Sequence, residues 1–304
     1  MLLCAMKSNR IELLLKISVF LIFLGRSLQH LFWDAPYRTF FWDESILQPI
    51  VEGFFNTPWQ DYATSHKTDS AIQNGIKING LIYLIAAISA LVIKKTNLKW
   101  FRIPIIFGGI SLLLLTLLMT KEKFYHFAQF FEHSIQFGLP FALLYNYSKK
   151  LNPLRLVVIL KILVAFTFFS HGLYAFGFYP VPGKFVDMVI QIFGFSEGTS
   201  ITFLYIAGIL DFIIAILIFI PIPRLQLYTL WYAVLWGLLT AFARIVANFY
   251  WDFPIQSIHQ NLHQVLYRIP HGLTPLLVIL IIKKYYYEIK KTAFSDGLLK
   301  KLKI

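Results

Sequence analysis

His126, Gln129, His133 and Gln136 recur at i, i+3, i+7 and i+10, and Asn261, Gln264, Arg268 and His271 repeat that spacing later in the chain. On a helix each set forms a single polar stripe. Imidazoles, amides and a guanidinium so aligned can hold an anion or pass protons, chemistry that a purely structural helix does not need. Other groups of the same kind stand in otherwise apolar surroundings: Arg26, Gln29 and His30, Glu132, His171, Asp211, Arg244 and Asn248, and His263. Such groups at membrane depth are costly and point to a functional site or a water-filled cavity.

Charge arithmetic narrows the chemistry. Arg26, Arg244 and Arg268 stay protonated, while Glu132 and Asp211 are the acidic side chains deep in the apolar segments. That excess leaves room for an anionic or quinonoid ligand: a carboxylate, a sulfur oxyanion or a quinone oxygen. The competing reading is structural, with Arg and His snorkelling or closing a hydrogen-bond network. His30, His126, His133, His171, His263 and His271 admit a bis-His haem, against which Arg and amides crowd the same faces. Two carboxylates are few for a di-metal centre. Glu132 beside His133 suits a proton path, since imidazole titrates near pH 6.5.

The elements that must position these residues follow from composition. The 304 residues are 58% hydrophobic and 14% charged, which defines an integral membrane protein. Long apolar runs favour helices over an outer-membrane barrel. About eight transmembrane helices are expected, over 11–33, 75–93, 101–120, 124–146, 154–176, 200–220, 227–249 and 260–282. The net charge of +13 is one-sided. Lys7, Arg10, Lys94, Lys95, Lys99, Arg102, Lys149, Lys150, Arg155, Arg224 and the tail lysines from Lys283 to Lys303 fall on one side of that layout. Asp34, Asp43, Glu44, Glu52, Asp61, Asp69, Asp187, Glu197 and Asp252 fall on the other. The positive-inside rule then makes both termini cytoplasmic in a multi-pass cell-membrane protein. Basic residues beside anionic lipid account for the charge and exclude a nucleic-acid partner. The first apolar run continues through Arg26 and His30 with no small-residue cleavage site, as in a retained signal-anchor helix. A single Cys4 offers no internal disulfide.

The chain repeats weakly. Leu13 to Leu31 lies over Val158 to Phe176 at an offset of 145, and Gln129, His133, Gln136 and Pro140 lie over Gln264, Arg268, His271 and Pro275 at an offset of 135. Two parallel four-helix repeats are expected, 1–150 and 151–304. The first carries a long outer loop, 34–74, whose FFWDES and Trp59-Gln60-Asp61-Tyr62 stretches read as interfacial aromatics or as a lid. The second ends in a basic tail.

The second half, with its His171-Gly172 pair, Pro182-Gly183-Lys184-Phe185 loop and Gly208-Ile209-Leu210-Asp211 helix start, resembles the DoxX and MauE group of small four-helix membrane proteins. The likeness spans about residues 155–280 and reaches the first half through the repeat. It implies a four-helix bundle per repeat and a link to membrane redox systems. A remoter likeness is to the helical domain of vitamin K-dependent gamma-carboxylases, whose large lumenal domain has no counterpart here. No nucleophile–base set, metal cluster or cofactor fingerprint is present. The expectation is therefore a non-catalytic carrier or assembly subunit that works in the bilayer, with or without other membrane subunits. The alternative is a quinone-linked redox component using the Glu132 and His133 proton path.

Overall fold

In the computed structural model the backbone is described for residues 2–301 and side chains for residues 10–285. The tail lysines Lys290, Lys291, Lys300, Lys301 and Lys303, with Lys7 and Cys4, lie outside the described side chains. The described chain is helical: α1 (Leu2–Phe32), α2 (Arg38–Phe41), α3 (Glu44–Phe55), α4 (Trp59–Thr64), α5 (His66–Val92), α6 (Leu98–Glu122) and α7 (Phe127–Glu132) are followed by α8 (Ser134–Asn146), α9 (Pro153–Ala175), α10 (Gly183–Phe193), α11 (Glu197–Leu217), α12 (Pro223–Val246), α13 (Pro254–Arg268) and α14 (Pro270–Lys301). Local signals set the ends. Asn152 and Ser196 cap α9 and α11 by accepting backbone N–H groups, and Pro153, Pro223 and Pro254 open their helices at the first turn.

Six helices among the described residues are long and apolar enough to cross a membrane: His66–Val92, Leu98–Glu122, Pro153–Ala175, Glu197–Leu217, Pro223–Val246 and Pro254–Tyr285. The protein is thus an all-helical membrane protein, but the count falls short of the eight expected. Segments 11–33 and 124–146 are the difference. Glu12, Lys16 and Arg26 interrupt the apolar run of α1. In the other segment Phe124 and Tyr125 take positive φ of 51° and 59°, and the helix breaks at His133, where φ is −93° and ψ is 8°. The resulting helices of 6 and 13 residues carry Gln129, Glu132, Ser134 and Gln136 along their length; Pro254–Tyr285 has the same joint between Arg268 and Pro270 but continues into the longer apolar run of α14.

The interrupted elements sit inside. Helix α1 packs on α5, α8, α13 and α14, and α9 packs on α11, α7, α8 and α14. Around them α5, α6, α11 and α12 turn Ile85, Leu114, Ile206 and Leu235 outward, the surface expected of helices in lipid. Small residues permit the closest approaches. A Cβ on Gly25 would stand 2.7 Å from the His263 carbonyl oxygen, and one on Gly208 would stand 2.7 Å from the Phe176 nitrogen.

The outer loop is pinned by ion pairs. Arg38 donates to Asp34 and to Asp69, each at 2.9 Å, and Lys121 pairs with Asp43. Hydrogen bonds from Lys121 and then Ser45 hold the Asp43 carboxyl down to about 2. These contacts tie the loop to α5 and α6 in the first half of the chain.

Candidate functional site

Packing α1, α7, α9 and α13 together brings most of the polar residues into one buried assembly, with two centres and one side pocket. The first centre is Arg26, 1% exposed. Its Nε and Nη2 donate to Gln136 Oε1 at 3.0 and 2.6 Å, and Nη1 donates to Gln29 Oε1 at 2.7 Å. The guanidinium lies 4.1 Å over the Tyr267 ring, within cation–π range. No carboxylate pairs with it among the described residues. Amide oxygens and an aromatic face solvate this cation, a closed cage with every donor nitrogen engaged.

Glu132 forms the second centre. Its Oε1 accepts from Arg268 Nη2 at 2.8 Å and lies 3.1 Å from His171 Nε2. The His171 and His271 rings stack at 5.8 Å and 11°. His271 Nδ1 meets the Arg268 carbonyl oxygen at 2.8 Å, whereas its Nε2 and Arg268 Nε find no partner in the protein. The carboxylate and the imidazoles can exchange a proton, with the guanidinium as a fixed charge beside them.

The two centres share their layout. Positions 26, 136 and 267 make the first; positions 171, 271 and 132 make the second. Adding 145 to 26 and 135 to 136, and subtracting 135 from 267, converts the first set into the second.

Several expected residues line these centres without forming part of them. His30 Nδ1 meets the Arg26 carbonyl oxygen at 2.7 Å and His133 Nδ1 the Gln129 carbonyl oxygen at 2.8 Å, so both imidazoles are bound back to their own helices. Gln129 accepts from Tyr174 at 3.4 Å, and His126 stacks on Tyr179 at 4.2 Å. His263 lies against Trp33.

The side pocket is built differently. Arg244 is buried at the end of α12, with one long hydrogen bond to Gln264 Oε1 at 3.4 Å and no partner for Nε. It borders two cavities. One, of about 340 Å³, is lined by Phe185, Met188, Val189, Ile192 and other apolar side chains of α9 to α12, with His171 and Asp211 in its wall. The other, of about 380 Å³, is polar: Lys184, Asp187, Gln191, Asn248, Asn261 and Gln264 line it. Both volumes lie in the roughly 300–1,000 Å³ range of small-molecule sites. Asp211 pairs with none of the three arginines and is buried, with Oδ1 unpartnered. No residue of the 34–74 loop lines either cavity; α10 covers them.

Sequence reasoning passed over Tyr267, Trp236 and Met188, and quoted Lys184 only as part of the loop that carries the family resemblance. Tyr267 had a signal, since the 135-residue offset lays it on Glu132. The others are ordinary residues of an amphipathic loop helix or an apolar face, and nothing in their spacing marks them. Among the described residues no group of three His, Cys, Asp or Glu side chains is placed to hold a metal ion.

Compared with models of protein families, with curated proteins and with solved structures, the chain matches none.

Proposed function

We propose that the protein binds a small anionic or quinonoid ligand in the membrane, beside Arg244, and serves as a non-catalytic carrier or assembly subunit. One observation carries this reading: Arg244 is buried, has no carboxylate partner, keeps Nε unpaired and borders two cavities. A buried cation without an acid is expensive unless something neutralises it. Arg26 has the same charge but is caged, so Arg244 is the cation free to meet a ligand.

Within this reading the chain is a DoxX-like duplication in the cell membrane, with both termini cytoplasmic and the cavities facing outward. The contact pattern supports the duplication. Helix α1 meets α5, α8 and α13 as α9 meets α11, α14 and α7, and α6 meets α7 and α8 as α12 meets α13 and α14. Helix α1 is then the more polar counterpart of α9. Other membrane subunits would receive or supply the ligand.

A second reading has its own support. His171 belongs both to the apolar cavity wall and to the Glu132 centre, so a quinonoid ligand there would have a proton path through His171 to Glu132. The purified protein's absorption spectrum separates the two: a bound chromophore above 300 nm favours the redox component, and a featureless spectrum the carrier.

Thermal unfolding with sodium benzoate and with menadione tests the common core. A ligand at 100 times its Kd stabilises by about 2.7 kcal/mol. At least one probe should raise the midpoint of the unmodified protein and leave Arg244→Gln unmoved. If neither these probes nor a longer-chain carboxylate such as stearate shifts the unmodified protein, the ligand-binding reading is wrong.

A further inference from the structure

The apolar and polar cavities meet at Arg244 and Met188, which line both. From this junction we infer that the ligand is a single-chain anionic amphiphile, its charged head on Arg244 and its hydrocarbon chain in the apolar cavity. The inference rests on the ligand-binding reading and names the ligand class.

Three features lead to it. The first is the sorting of polarity. The walls on one side of Arg244 are Phe185, Val189, Ile192, Phe203 and Leu204; on the other they are Asn248, Gln260, Asn261 and Gln264. A compact polar ion would fill only the second compartment, and a plain hydrocarbon only the first. A molecule with one end of each kind fills both, and burial of its chain contributes about 25 cal/mol per Å² of apolar surface.

The second feature is charge. Arg244 and Lys184 face Asp187 around the polar compartment, a net excess of one positive charge. In the apolar compartment the titratable groups are His171 and Asp211. Neither is a permanent cation, so an anionic head belongs at Arg244.

The third feature is the way in. Phe193, Leu239, Phe242 and Val246 line the apolar compartment and are also 49% to 60% exposed on the outside of the helices. They belong to the lipid-facing surface of α10 and α12, so the compartment opens sideways where a hydrocarbon chain already lies. Helix α10 is amphipathic, burying Val189 and exposing Lys184, Asp187 and Gln191, and it roofs both compartments. A lipid-like molecule could slide beneath it without passing its chain through water.

Trp236 lines the apolar compartment and reports on it. The probe is 9,10-dibromostearate, whose bromines quench a tryptophan they touch, added to the full-length protein in lipid nanodiscs. Saturable quenching is expected, absent in Trp236→Phe. The matching dibromostearyl alcohol should bind at least tenfold more weakly, because it lacks the charge. Arg244→Gln should bring acid and alcohol together, and Ala243→Leu, which narrows the apolar compartment, should weaken the acid. The comparison of acid with alcohol on the unmodified protein decides the matter even if a variant fails to fold. Equal, non-saturating quenching by both means that the probes sit only in the surrounding lipid, and overturns the inference. Benzoate binding at Arg244 as tightly as the stearate overturns it too, while leaving the ligand-binding reading standing. If benzoate, menadione and stearate all fail to bind, both fall.

Discussion

Replacing Arg268 by Gln should cost more than replacing its partner Glu132 by Gln, although each removes one member of the same pair. The pair is close, at 2.8 Å, and both side chains are sheltered, 11% and 8% exposed. Taking away the guanidinium strands a buried carboxylate with His171 as its remaining side-chain partner. Breaking a buried pair in this way costs about 3–5 kcal/mol. Taking away the carboxylate strands a guanidinium instead, but the introduced amide offers Arg268 the kind of oxygen that Gln136 offers Arg26. A hydrogen bond to a charged group retains about 1.5–3 kcal/mol of that loss. Glu132→Gln should therefore cost about half as much, and the double variant should lie closer to the unmodified protein than Arg268→Gln does. Equilibrium unfolding in mixed micelles, followed by tryptophan emission, gives the three free energies and their coupling. A coupling below about 0.5 kcal/mol, or equal costs for the two single variants, would refute the argument that this pair is held by charge.

Two further outcomes test the frame around the site. Gly25→Ala places a Cβ 2.7 Å from the His263 carbonyl oxygen and 2.8 Å from the Tyr267 nitrogen. Neither helix backbone can yield cheaply, so stability should fall by about 1–3 kcal/mol in the same unfolding assay; no change would mean that α1 and α13 are not in contact there. In the outer loop, the Asp43 carboxyl is held down to about 2 from 3.8 by Lys121 and Ser45. A depressed carboxyl stabilises the fold above its unfolded value and loses that contribution as pH falls through the folded one. Pepsin should then cut the loop faster as pH drops from about 4 towards 2, measured against an Asp43→Asn variant that is cut at its fast rate throughout; a constant ratio between the two removes Asp43 as the latch.

Much of this architecture is legible in the chain. Composition and the long apolar runs lead to a helical membrane protein, and the polar stripes identify residues that the fold does gather. The break at His133 is the instructive failure. Positions 126, 129, 133 and 136 keep helical spacing across it, because a single residue leaving helical geometry hardly changes which side chains share a face. Spacing alone therefore reads one helix where two meet. Pro270 opens α14 in the second half and is the visible mark of the corresponding joint, since proline tolerates a helix's first turn and disrupts its interior. Charge arithmetic has a similar limit. It counts three arginines against two acids, but only the fold shows that Arg26 is caged by amides, Arg268 is paired and Arg244 is left over.

On the proposed ligand-binding reading, the two centres explain why one half of the chain would carry the ligand. Corresponding positions hold Arg26, Gln136 and Tyr267 in one centre and His171, His271 and Glu132 in the other. Permanent charge solvated by neutral groups makes the first centre insensitive to protons and rigid. The second sets two imidazoles and a guanidinium around a carboxylate, and it is the second that touches the apolar cavity through His171. A duplicated scaffold with two equivalent sites would need a cavity beside each, yet residues of α9 to α13 line both cavities that Arg244 borders. On the proposed duplication, the first half has become the fixed wall against which the second half binds. Exchanging Arg26 for His should then leave the Arg244 cavities intact and cost stability alone, whereas exchanging His171 for Arg would place a second cation beside Arg268 and alter the cavity itself.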